Sequence, residues 1–190
     1  SGDDRETTFL SARQQWNVHG GVDVGAHGRD IGTGLRLRSE YTRTDLSGVD
    51  AGAGAALFDR RQLQELGRMS LAVQHRSERV MLRSRASYGF YREQYLYDQR
   101  GSDALDSFED NREHLFEMST TVGVRIDESH ELVAGYDQFH QRIDSARLSS
   151  RSGRARFAPF AQHEWTPIRG DLELKLIGGV RFDVDSQFGS

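Results

Sequence analysis

Five carboxylates crowd one short stretch of this chain. DQRGSDALDSFED carries Asp98, Asp103, Asp106, Glu109 and Asp110, and hard cations such as calcium are held by collections of carboxylate and carbonyl oxygens. The spacing is not that of an EF-hand loop, whose closing glutamate is missing in register. The stretch also reads as a solvated surface loop, so no metal is assigned, and Asp98, Asp103, Asp106 and Asp110 stand as its candidate ligands. Asp45, Asp50 and Asp59 lie in or beside the glycine-rich SGVDAGAGAALF, where no G-x-G-x-x-G opens a helix after a strand. Seven histidines (His19, His27, His75, His114, His130, His140 and His163) are scattered with no H-E-x-x-H or other compact ligand motif. There is no G-x-S-x-G elbow and no paired-carboxylate signature. Accordingly no catalytic residue and no cofactor is assigned, and the chain does not read as an enzyme.

Arginines make the other constellation. Arg36, Arg38, Arg83 and Arg85 fall on the charged parity of two alternating segments. They could form a positive wall for an anionic ligand such as a metal chelate. The competing explanation is internal charge balance against Glu40, Glu93, Glu117 and Glu173.

Strands must position these groups. In DLELKLIGGVRFDVDSQFGS the even residues Leu172, Leu174, Leu176, Gly178, Val180, Phe182 and Val184 alternate with Glu173, Lys175, Ile177, Gly179, Arg181, Asp183 and Asp185. Side chains along a strand point alternately to two faces, so one face is greasy and the other charged. The same period recurs with Leu35, Leu37 and Tyr41 against Arg36, Arg38 and Glu40, and with Leu82, Ala86, Tyr88 and Phe90 against Arg83, Arg85 and Ser87. It recurs again with Phe116, Met118, Val122 and Val124 against Glu117, Ser119 and Arg125. Sustained alternation predicts antiparallel β-structure. ALFDRRQLQELGRM, 56–69, is the single stretch that could form a short helix.

Eight strands are expected, at about 6–18, 31–45, 62–76, 79–97, 111–127, 130–146, 154–167 and 171–188, with VDVGAH in the first connection an alternative strand of its own. Tight polar connections at RSER, DESH and PIRG alternate with long ones at about 45–61, 98–111 and 146–153. In an up-and-down meander this puts short turns at one end and long loops at the other, as in outer-membrane barrels. Several strands exceed the five or six residues usual in soluble sheets.

Composition narrows the field. The 190 residues carry 25 basic and 29 acidic side chains for a net charge of −4, with no basic footprint for nucleic acid. Mean hydropathy is −0.68, and no uncharged run reaches the roughly 18 residues of a membrane helix. The absence of cysteine excludes disulfides and thiolate metal sites. SGDDRETTF has neither a basic n-region nor an apolar core, so no signal peptide is read in this chain. A soluble β-sandwich also alternates apolar and polar. Against it stand the charge density of the polar face (Arg36, Arg38, Arg83, Arg85, Glu117, Arg181 and Asp183 as lumen-facing candidates) and aromatic residues near strand ends. Of these, Trp165, Tyr41 and Tyr95 are the candidate membrane-interface anchors.

FAPFAQHEWTP followed by LELKLIGGVRFDVDSQFGS resembles the barrel of TonB-dependent outer-membrane receptors, on Phe160, Gln162, Glu164, Trp165, Gly179, Arg181, Phe182, Asp183, Phe188 and Gly189. SEYTRTDLSGVD and YREQYLYDQRGSDALDSFED look like that family's strands running into extracellular loops. The resemblance implies a bacterial outer-membrane protein that takes up a scarce nutrient such as an iron chelate (siderophore) or cobalamin. The implied partners are outer-membrane lipid, a small chelate ligand and an energy-coupling inner-membrane complex. The family's plug domain, coupling box and final aromatic strand are not visible, so residues 1–190 are expected to be one barrel segment. At about 24 residues per strand, 22 strands need on the order of 500 residues, and this chain would supply about a third of such a barrel. The alternatives are a self-contained eight-stranded outer-membrane barrel with a structural or adhesive role, and a soluble antiparallel binding domain.

Overall fold

The computed structural model describes residues 12–27, 31–51, 57–145, 152–168 and 174–186. Every regular element among them is a strand: β1 (Ala12–His27), β2 (Gly32–Ala51), β3 (Leu57–Arg76), β4 (Val80–Gln99), β5 (Ser107–Arg125), β6 (His130–Asp144), β7 (Ser152–Ile168), β8 (Leu174–Arg181) and β9 (Val184–Ser186). They form one antiparallel sheet in the order β1 to β8, each strand beside its sequence neighbour, with β9 also on β7. The all-β up-and-down meander is therefore as the alternation predicted.

Closure is not. Among the described residues β1 pairs only with β2 and β8 only with β7, and no ladder joins these two edges. An eight-stranded closure leaves an interior just filled by side chains. Arg36, Arg38, Arg83, Arg85 and their neighbours would have to be packed there largely dry, at a heavy desolvation cost.

The strands run further than expected. The first continues through the glycine-rich connection to His27, so VDVGAH belongs to β1 and is no separate strand. The segment 57–69, the one candidate helix, is the first half of β3. β2 extends to Ala51 and β5 begins at Ser107, so the loop between β4 and β5 shortens to 100–106. The last strand, expected unbroken over 171–188, is interrupted at Phe182 and Asp183 while keeping one register across the gap, Phe160 opposite Arg181 and Phe157 opposite Val184. The cause is Pro159. Its carbonyl accepts from Phe182 N at 3.0 Å, but proline has no N–H to return the bond. Residues 1–11, 171–173 and 187–190, including Phe188 and Gly189, lie outside the described residues.

Short turns hold the end where β3 meets β4 and β5 meets β6. Ser77 closes the first through its N–H to Val80 O (2.7 Å) and its hydroxyl, which accepts Val80 N at 3.0 Å. Asp127 builds the second as an Asx turn, its Oδ1 accepting from the N–H groups of Ser129 (2.7 Å) and His130 (2.8 Å). At the opposite end the 100–106 loop turns through Gly101, whose φ of 84° suits a residue without Cβ. Among the described residues no second layer packs on either face. Phe58 and Ala158 are the only buried apolar side chains among the described residues. The chain exposes 14104 Å², where a compact monomer of this mass exposes about 9,200 Å².

Candidate functional site

Register assigns every side chain to a face, because residues directly opposite in an antiparallel ladder point the same way. Arg36 sits opposite Asp23 and Ala72, Ala72 opposite Arg85, Arg85 opposite Ser119, Ser119 opposite Asp137, and Asp137 opposite Ala158. All the arginine candidates, Arg36, Arg38, Arg83 and Arg85, fall on this charged face, with Glu117, Gln162, Glu164 and Arg181. Asp183 reaches the same group through Arg181, whose guanidinium donates to Asp183 at 3.1 Å and to Asp137 at 2.9 Å.

The other face divides in two along the strands. In the half nearest the short turns it is apolar: Thr33–Tyr41 on β2, Gly67–His75 on β3, Val80–Phe90 on β4, Phe116–Val124 on β5 and Phe157–Trp165 on β7 show no Asp, Glu, Lys or Arg on this parity. Each stretch is nine to eleven residues long. β1 continues the band with Trp16 (67% exposed), Val18, Val22 (58%) and Val24, and β8 with Leu174, Leu176 and Val180 (60%). Several of the few polar groups within it bond one another. Ser84 and Thr120 hydroxyls lie 2.9 Å apart, and the Thr33 hydroxyl is 2.8 Å from His75 Nδ1.

Toward the long loops the same face becomes ionic. Arg43, Glu65, Arg92 and Arg112 occupy one row across β2 to β5. Arg92 grips Asp110 through two 2.9 Å bonds, Arg112 reaches the same carboxylate at 2.6 Å, and Arg43 and Arg92 each lie 3.8 Å from Glu65. Above this row Arg61 holds Asp45 (2.6 Å) and Arg100 holds Asp59 (2.7 Å). Arg92, and after it Arg112, keep the Asp110 carboxyl well below the usual carboxylate range, while Arg61 and Arg100 lower Asp45 and Asp59. Hydrogen bonds to the charged form outweigh desolvation at each.

Aromatic groups sit at the band's margins. Trp165 lies at the short-turn margin, its ring parallel to His130 at 6.0 Å, and His130 Nδ1 is 3.1 Å from His163 Nε2. Tyr41 lies at the opposite margin, donating to Glu65 at 2.8 Å. Tyr95 is elsewhere. It falls on the charged face at the long-loop end, stacked on Tyr97, which in turn stacks on Phe58 at 4.5 Å.

The acidic loop does not assemble. Asp106 accepts from Gln99 N at 2.7 Å, Asp98 stands opposite Asp59, Asp110 is held by its arginines on β5, and Asp103 lies in the loop itself. No three of His, Asp and Glu among the described residues converge as a metal site.

Two features escaped sequence reasoning. Arg68, although inside the strand expected at 62–76, was not read for its face, and it belongs with Arg38 and Arg85 on the charged face. Gly135 lies under the Phe160 ring, where a Cβ would collide with Thr120 O and stand 2.8 Å from Phe160 Cζ. No protein-family model, curated protein or solved structure matches the chain.

Proposed function

We propose that this sheet is a stretch of wall in a bacterial outer-membrane β-barrel, with its apolar band against lipid and its charged face toward a wet interior. The observation that carries this is the limited height of the band. Nine to eleven residues is the length of a tilted transmembrane strand, and the strands continue past it with charge on both faces, as barrel walls do beyond the bilayer. A soluble sandwich would need a second layer on the band, and none covers it among the described residues. The two open edges argue against a self-contained eight-stranded barrel and for a sheet that other strands complete.

By the resemblance noted above, the reading extends to a receptor for uptake of a scarce nutrient such as an iron chelate or cobalamin. Its contribution is to bind at the long loops and pass the ligand inward, driven by an inner-membrane complex. No covalent chemistry is required of it.

With no native cysteine, single spin labels report without background. Labels at Leu82, Ala86 and Phe90 should be reached by oxygen from the bilayer, and labels at Arg83, Arg85, Arg92 and Leu96 by a water-soluble nickel chelate. Uniform water access along β4 in lipid vesicles would overturn the proposal.

A further inference from the structure

Many arginines of the charged face have an acidic partner. Arg36 has Asp23, Arg154 has Asp185, and Arg181 has Asp137 and Asp183. Arg38, Arg68 and Arg85 form no ion pair with any described residue, although they come from three adjacent strands and point to one place. The register sets Arg38 opposite Ser70, Arg68 opposite Glu40, and Arg85 opposite Ala72, so the three guanidinium groups surround the Ser70 position from β2, β3 and β4. Together they line a hollow of about 510 Å³. Two carboxylates share the lining, Asp23 and Glu40, but Asp23 is engaged by Arg36 at 2.7 Å. Within this lining that leaves Glu40 against three cations, while Glu117 and Asp137 stand in the adjoining hollow that Arg68 and Arg85 also line.

Like charges gathered without counter-ions repel. Guanidinium groups present flat pairs of N–H donors that fit two oxygens of a carboxylate or phosphate at once. We infer that this hollow binds a small anion bearing several such oxygens, a polycarboxylate or a phosphate, between Arg38, Arg68 and Arg85 with the Ser70 hydroxyl beneath it. The inference rests on the barrel-wall reading only in taking the charged face as open to water. It names an anion as the class of ligand that crosses or pauses at this wall.

The test uses the full chain in detergent micelles, titrated by calorimetry with citrate and separately with inorganic phosphate at low salt. Saturable binding of either supports the site, and which one binds tells a carboxylate ligand from a phosphate one. Arg68→Gln and Arg85→Gln should each weaken binding about ten-fold or more, since each removes charge-assisted bonds. Arg83→Gln is the control. Arg83 also has no ion pair to a described residue and lies two residues along β4 on the same face, yet it does not line the hollow, and its loss should leave affinity within about two-fold. No saturable binding of either anion overturns the inference, as does equal weakening by all three substitutions, which means diffuse attraction. Because the spin-label pattern on β4 is read without ligand, a failed titration beside an intact lipid pattern sinks the anion site alone.

Discussion

On β4 the side chains of one face read Val80, Leu82, Ser84, Ala86, Tyr88, Phe90, and then Arg92, Gln94, Leu96, Asp98. The backbone ladder continues unbroken from β3 to β5 across that change. Neighbouring strands change at about the same level, from Tyr41 to Arg43 and from Gly67 to Glu65. Hydrogen bonding within the sheet cannot be the cause, because it is the same in both halves. What differs is the medium each half is built to meet. The turn-side half shows apolar area with a few hydroxyls bonded to one another or to histidine, and the loop-side half shows arginine and carboxylate linked across strands.

The hardest blow to that contrast is an arginine placed in the middle of the band. Leu71→Arg should cost about 2–4 kcal/mol of folding stability in vesicles, whereas Leu63→Arg, on the same strand and face beyond the band, should cost about 0–1 kcal/mol. Urea titrations in lipid compare them, and equal costs would erase the distinction. Gly135→Val strikes the sheet on the charged face behind the apolar half. Its added carbons meet Thr120 O and the Phe160 ring, and overpacking of this kind costs about 1–3 kcal/mol. Labels on β6 should then lose their alternation.

Acid sharpens the contrast from the other side. Asp110 is depressed by Arg92 and Arg112, so its contribution is fully present above its ordinary pKa of 3.8 and is lost as the pH falls through the lower folded value. Stability from this source should be flat from pH 7 to pH 5 and fall only in stronger acid. Asp110→Asn should remove about 1 kcal/mol at neutral pH, the partial exposure of the arginines limiting the effect, and should flatten that acid limb. The smallest effect is optical. Trp16 and Trp165, the only two tryptophans, lie at opposite margins of the band. Trp16→Phe and Trp165→Phe each leave one emitter, which should be quenched more by bromines near the lipid headgroups than by bromines deep in the chains.

The same contrast explains what the sequence revealed. Where one face is apolar and the other charged, period-2 alternation is plain, and β4, β5 and β6 were placed within a few residues. Where both faces are polar the alternation has nothing to act on. The loop-side ends of β2 and β3, 46–51 and 57–61, therefore read as loop, and 56–69 left room for a short helix as an alternative. β1 was cut short because Gly20 and Gly21 lower strand propensity, although Val22, Val24 and Ala26 keep its phase. The charged parity of Arg36, Arg38, Arg83 and Arg85 was legible from their neighbours. Arg68 was not, although it lay in the strand expected at 62–76, because no alternation was read along that strand. Tyr95 was misplaced by reasoning from nearness to a strand end, when its odd number on β4 already assigned it to the charged face.

Every ladder in the sheet joins strands adjacent in sequence, apart from β9, which follows β8 onto β7 in the same register, and this bears on how the chain acquires its shape. Closing a hairpin fixes only the loop between its strands, so no long segment need be captured before the first contacts form. Folding can advance as a zipper, each completed strand becoming the template for the next. A nascent wall of this kind can lengthen one hairpin at a time, with a pairing edge exposed at every stage until another strand arrives.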